Sequence, residues 1–148
     1  MTVIPPVDKR ILKFIRQHHI FTLATVVDTQ PYVATCFYVY IEENNQFIFT
    51  SDDHTRHAKE MQIQPRVAGA IALETRIIGK IQGIQFTGVA RKLEKEELKI
   101  AGHAYAAKFP VARLMETTLW SIQPDFMKMT HNLLGFGKKL IWETTEPL

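Results

Sequence analysis

The sequence predicts one mainly β domain over residues 1–148, built of antiparallel strands with helices at its periphery. Three observations predict it. From Ile20 onward, runs of β-branched and aromatic residues recur between short polar turns. Apolar residues take helical spacing only in brief segments, before Ile20, after Thr55 and after Glu94. The longest β-type run, Ile77 to Leu93, carries glycine at 79, 83 and 88, the pattern of a strand that bends or bulges with a curved sheet closing on itself.

The elements follow in order. After Pro5-Pro6, the residues Val7, Ile11, Phe14 and Ile15 recur at helical spacing with Lys9, Arg10, Lys13 and Arg16 between them. This predicts an amphipathic helix ending near His18-His19 and covering a barrel with its apolar side. Phe21 to Val27 and Tyr32 to Ile41 read as adjacent strands joined by Asp28-Thr29-Gln30-Pro31. A second turn at Glu42-Glu43-Asn44-Asn45 leads into the strand Gln46 to Thr50, giving a meander. A short helix from Thr55 to Ile63 stops at Pro65, which disfavours helix at the residue before it. Strands resume over Arg66 to Glu74 and Ile77 to Leu93. Glu94 to Lys108 is the next helix, with acids in its first turn, and Val111 to Thr117 a shorter one, both expected over one end of the barrel. Leu119 to Thr130 and Lys138 to Thr144 form a closing hairpin with a longer loop.

Composition narrows the function. The formal charge is +3, and cations alternate with acids in stretches such as Arg91 to Glu97, a solvated face rather than a nucleic-acid footprint. No apolar run is long enough to cross a bilayer, and the first residues lack the pattern of a secretion signal. A cytoplasmic protein with neither a membrane nor a nucleic-acid partner is expected. Cys36 is the only cysteine, so no internal disulfide can form, and a small buried strand residue is its simplest role.

Chemistry concentrates at Thr50 to His57, where a strand hands over to a helix. Unpaired helix-start amides, the hydroxyls of Thr50, Ser51 and Thr55, the guanidinium of Arg56 and the imidazole of His57 would together suit a phosphate monoester. Ser, Asp and Thr are also ordinary helix caps, and local sequence leaves both readings open. His54 and His57 could share a helix side, but no zinc-type ligand spacing accompanies them, and no metal is expected.

The order of these segments resembles the pyridoxamine 5′-phosphate oxidase-like superfamily of flavin mononucleotide (FMN)-binding split barrels. The resemblance rests on Phe21-Thr22-Leu23-Ala24-Thr25, Pro31-Tyr32-Val33-Ala34, Phe47-Ile48-Phe49-Thr50-Ser51 with Thr55-Arg56-His57, Pro65-Arg66-Val67-Ala68, and Ile81 to Gly88. Thr55 to Ala58, Gly83-Ile84-Gln85-Phe86 and Gly135-Phe136-Gly137 look most like its YhbP-like branch.

The resemblance implies a six-stranded antiparallel split β-barrel of Greek-key type with flanking helices. It implies a flavin along Ala34 to Phe37, held largely by the backbone of Thr35, Cys36 and Phe37. Thr50, Ser51, Thr55, Arg56 and His57 would surround the phosphate, with Gln85 near the ring. It further implies a homodimer with sites at the interface, near the aromatic and methionine residues of the last hairpin.

Two positions depart from the oxidases: Val39 and His57 stand where those carry lysines. The arginine and histidine that grip pyridoxal phosphate have no match in Lys138 to Glu143. The expectation is an FMN-binding oxidoreductase or flavin reductase that does not oxidise pyridoxamine phosphate, with no catalytic acid or base named. A non-catalytic flavin- or heme-binding module is the alternative, with heme the less favoured ligand.

Overall fold

The computed structural model describes residues 4–114 and 118–144. Helix α1 (Lys9–Gln17) starts at Asp8, whose carboxylate accepts from the Arg10 amide. It sends Ile11, Phe14 and Ile15 into the core. The Tyr38 hydroxyl donates to the Ile15 carbonyl at 2.6 Å, and Trp142 Nε1 donates to the Pro5 carbonyl at 2.8 Å. One helix is thereby fastened at both ends to the barrel it covers.

Strands β1 (Ile20–Val27) and β2 (Gln30–Ile41) follow. Asp28 and Thr29 adopt φ of 50° and 63°, so the connection is a two-residue turn rather than the four residues the sequence suggested. Gln30 and Pro31 instead pair with Val27 and Val26. Strand β3 (Gln46–Thr50) and helix α2 (Arg56–Ile63) match expectation, with Thr55 as the cap of α2. Strand β4 (Arg66–Ala72) stops before Glu74, and the next predicted strand divides into a 3-10 turn (Ile78–Lys80) and β5 (Gln82–Lys92). Helix α3 (Lys95–Lys108) leads to a 3-10 turn (Pro110–Leu114) where a helix to Thr117 was expected; residues 115–117 lie outside the described residues. Strand β6 (Leu119–His131), a 3-10 turn (Asn132–Leu134) and β7 (Lys139–Glu143) complete the chain. None of the helices is long and apolar enough to cross a membrane among the described residues.

The sheet runs β3-β2-β1-β4-β5-β6-β7, and a further β3–β6 pairing closes the first six into a ring. Because β4 returns beside β1 after the β1-β2-β3 meander, the topology is a Greek key, as expected. The seventh strand lies outside the ring, paired to the second half of β6. Between Thr87 and Gly88 the β5–β6 register shifts and leaves Asp125 unpaired in the ladder. A side chain at Gly88 would come within 2.4 Å of the Gln123 carbonyl, so glycine is required where this bulge brings the strands close.

Inside the ring, Phe21, Tyr38, Phe47, Phe49 and Phe86 form one aromatic core, with Phe47 and Phe86 stacked 4.6 Å apart. A second cluster of Ile48, Leu93, Ala101, Tyr105 and Leu119 lies under α3. Helix α3 therefore packs on the outer surface of β2, β3 and β6, not over an end, because Ile48 and Leu119 turn their side chains away from the barrel interior.

The ring is incomplete along β2. Its Tyr38–Ile41 half pairs with β3, whereas Gln30 to Phe37 has β1 on one edge and, among the described residues, no strand on the other.

Candidate functional site

Strand β3 ends where that open edge begins, and the turn to α2 starts there. The Ser51 amide still donates to the Thr118 carbonyl at 3.0 Å, after which Asp52 organises the turn. Its carboxylate accepts from the His54 amide at 2.8 Å, and its carbonyl accepts from both the amide and the hydroxyl of Thr55, at 3.0 and 2.8 Å. The Thr55 oxygen in turn accepts from the Ala58 amide at 3.2 Å. Ser51 Oγ and His57 Nε2 lie 3.3 and 3.5 Å from that same oxygen. Thr55 thus acts as a helix cap whose proton is already committed, while Ser51 and His57 gather around it. The amides of Arg56 and His57, at the first turn of α2, have no acceptor among the described residues.

Arg56 lies over the Tyr32 ring, 4.3 Å from its centroid, and donates from Nε to Glu60 Oε2 at 2.8 Å. Its side chain is 53% exposed, whereas Glu60 is buried and accepts from the Thr25 hydroxyl at 3.1 Å through its other oxygen. The Arg56 hydrogen bond holds the Glu60 carboxyl below its ordinary value, against the opposing effect of burial. Burial pushes the His57 imidazole below its usual value, opposed by the Glu60 charge. Lys92 reaches across to Asp53 at 3.1 Å and fastens the loop to the end of β5.

Other expected residues face elsewhere. Strand alternation sends Phe49 into the barrel and Thr50 out toward α3, where its hydroxyl lies 3.4 Å from that of Tyr105. Thr50 is therefore not gathered with Ser51 and Thr55. Tyr105 borders a cavity of about 430 Å³ shared with His103 and Arg113. Cys36 points into the core, and burial pushes its thiol up to about 11. Only its backbone reaches the strand edge.

Thr35 and Phe37 face outward on β2, and Phe37 meets the Phe109 ring edge-on at 5.5 Å. The open edge of β2 is thus flanked by Arg56 at Tyr32 and by Phe109 at Phe37. Gln85 belongs to the same outer surface but not to that edge. The pairings Thr35↔Thr22, Thr22↔Ala70 and Ala70↔Gln85 put three strand spacings, roughly 14 Å, between Thr35 and Gln85. The side chains of Thr22, Thr35 and Gln85 are exposed and have no hydrogen bond to any described residue. Among the described residues, no three of His, Cys, Asp and Glu converge as metal ligands.

A family model described as pyridoxamine 5′-phosphate oxidase matches residues 7–129. The chain belongs to the pyridoxamine 5′-phosphate oxidase family. A UPF0306 protein of Photorhabdus laumondii is 41% identical over 131 residues, covering 88% of this chain and 92% of the relative. A heme binding protein from Mycobacterium smegmatis superposes with a TM-score of 0.75 at 18% identity, over 93% of this chain and 59% of that one. A FAD-binding protein from Mesorhizobium loti gives 0.69 at 17% identity, over 87% and 95%. At such identities these likenesses establish the fold, a split barrel of this family, and no more.

Within the family frame, the residues that sequence reasoning passed over are Glu60, Tyr32 and Thr22. Arg56 and Glu60 stand four apart on a helix, a spacing legible in advance. Tyr32 beneath Arg56 carried no such signal, because only the fold brings β2 under α2. At the departure from the oxidases, Val39 packs into the cluster under α3. A cation reaches that neighbourhood from another element: Lys108 Nζ donates to the carbonyls of His18 and Tyr38, each at 2.9 Å. Burial lowers its ordinary affinity for a proton.

Proposed function

We propose that the chain binds FMN at the open edge of β2 and works as an FMN-dependent oxidoreductase or flavin reductase, paired as a homodimer. The observation that carries this reading is the unpaired edge from Gln30 to Phe37, lying beside a turn that offers a guanidinium and two unused helix-start amides, with the buried Ser51 hydroxyl behind them. A flavin's ring edge alternates hydrogen-bond donors and acceptors, and an unpaired strand edge presents the same groups. Tyr32 and Thr35 are three residues apart, roughly 10 Å along the strand, a separation on the scale of the molecule. The bound flavin would supply hydride and single-electron chemistry. The chain would supply position, with Ser51, Arg56 and the amides of Arg56 and His57 at the phosphate and the β2 backbone at the ring.

Gln85 is too far from the edge of its own chain to complete that site alone, which supports a second copy contributing across the exposed sheet surface. The FAD-binding relative agrees with a flavin, and the heme-binding relative with a heme. The flavin is favoured because the unpaired backbone of β2 from Gln30 to Phe37 offers the alternating donors and acceptors that a flavin's ring edge matches. Pyridoxamine phosphate is not proposed as substrate, because no arginine or histidine occurs from Lys138 to Glu143.

Titration of the purified protein with FMN, followed by flavin fluorescence and absorbance, tests the assignment. Saturable quenching with a shifted visible spectrum is expected. A flavin that remains fully fluorescent at every protein concentration would remove it.

A further inference from the structure

The cation of the strand-to-helix turn is already engaged. Glu60 takes the Nε edge of Arg56, Tyr32 holds the plane of the guanidinium, and Thr25 fixes the carboxylate from behind. Arg56 cannot swing away without losing both the ion pair and the ring contact. A phosphate reaching its remaining N–H groups would therefore arrive next to a buried negative charge. The two acids of the loop add to this: Asp53 is offset by Lys92, but Asp52 has no ion-pair partner among the described residues. His57 is a weak source of positive charge here, since burial lowers its affinity for a proton against the opposing pull of Glu60. Counted together, Arg56, Lys59 and Lys92 only balance Asp52, Asp53 and Glu60, so the turn has no cationic excess where a dianion is to be held.

We propose that Glu60 sets the anion preference of this turn, restraining phosphate binding by occupying and neutralising Arg56, so that the site holds its phosphorylated ligand loosely and exchangeably. This rests on the phosphate reading of the turn. It adds a specific consequence: the flavin comes and goes as a substrate does, and the residue responsible is a carboxylate that does not touch the flavin ring.

The test compares wild type with Glu60→Gln, which keeps the volume and an oxygen for the Thr25 hydroxyl. Inorganic phosphate binding is measured by calorimetry, and FMN and riboflavin by fluorescence quenching. Removing a like charge beside the phosphate should tighten both phosphate and FMN by on the order of tenfold and leave riboflavin unchanged. In the double variant Glu60→Gln/Arg56→Gln the gain should vanish, since it runs through the guanidinium. Unchanged or weaker phosphate binding by Glu60→Gln would overturn the proposal and make Glu60 a support that positions Arg56. A phosphate gain without any flavin binding would leave the role of Glu60 standing while removing the flavin reading. Flavin binding that ignores the substitution would do the reverse. Melting temperatures of the variants report whether the fold is intact.

Discussion

Replacing Arg56 by alanine should separate the phosphate from the rest of the flavin. A charge-assisted hydrogen bond is worth roughly 1.5–3 kcal/mol where it is well desolvated. Here the side chain is 53% exposed and already donates to Glu60, so solvent screening and competition reduce its share. The lower end, about 1.5 kcal/mol, corresponds to roughly a tenfold rise in the FMN dissociation constant. Riboflavin lacks the phosphate and should bind wild type and Arg56→Ala alike. Arg56→Lys should recover only part of the loss, because an ammonium restores charge without the planar contact to Tyr32. Parallel quenching titrations with both flavins at fixed ionic strength supply the comparison. An equal loss for the two flavins would trace the effect to a disturbed turn. Undiminished FMN affinity would place the phosphate elsewhere.

The remaining expectations concern the scaffold. His57 has a lowered proton affinity in the folded state, so its unfolded form binds protons more readily. Its contribution to stability is complete above the ordinary imidazole value, and declines as pH falls through that value toward the lower folded one. Urea melts from pH 8 to 5 should show a steeper acid loss for wild type than for His57→Gln, and parallel curves would refute it. Cys36 should resist a thiol reagent such as dithionitrobenzoate in the native protein and react only on unfolding, given its buried thiol; prompt native reaction would contradict that placement. Gly69→Ala would bring a methyl group to 2.2 Å from the Phe86 ring, which is locked by stacking on Phe47. Destabilisation of about 2 kcal/mol is expected from denaturant midpoints, and an unchanged midpoint would mean that the core can yield there.

The fold was largely legible because runs of β-branched and aromatic residues between short polar turns mark the strands, and brief stretches of apolar residues at helical spacing mark the helices. Gln46 to Thr50 matched residue for residue, and the glycine at 88 pointed to the bulge that closes the curve. What local pattern could not give was the side of the sheet on which a helix rests. Helix α3 was expected over an end, yet Ile48 and Leu119 offer it an apolar surface outside the ring. The same limit applies at the site. Thr50 and Ser51 are neighbours in sequence, but strand geometry sends Thr50 to Tyr105 and leaves Ser51 with Thr55. Arg56 was visible as a cation; its stacking on Tyr32 depends on a packing contact between segments 24 residues apart in number, which no local periodicity encodes.

The bare edge of β2 also bears on how the protein behaves before it meets a ligand. An unpaired strand of mixed apolar and hydroxyl residues is a template onto which any extended chain can add itself, and Val33 and Phe37 leave it sticky on its outer side. Whatever occupies that edge shields it from such encounters. If FMN is what covers the edge, the proposed ligand would act on solubility as well as chemistry, and light scattering should show less self-association with FMN present than without it.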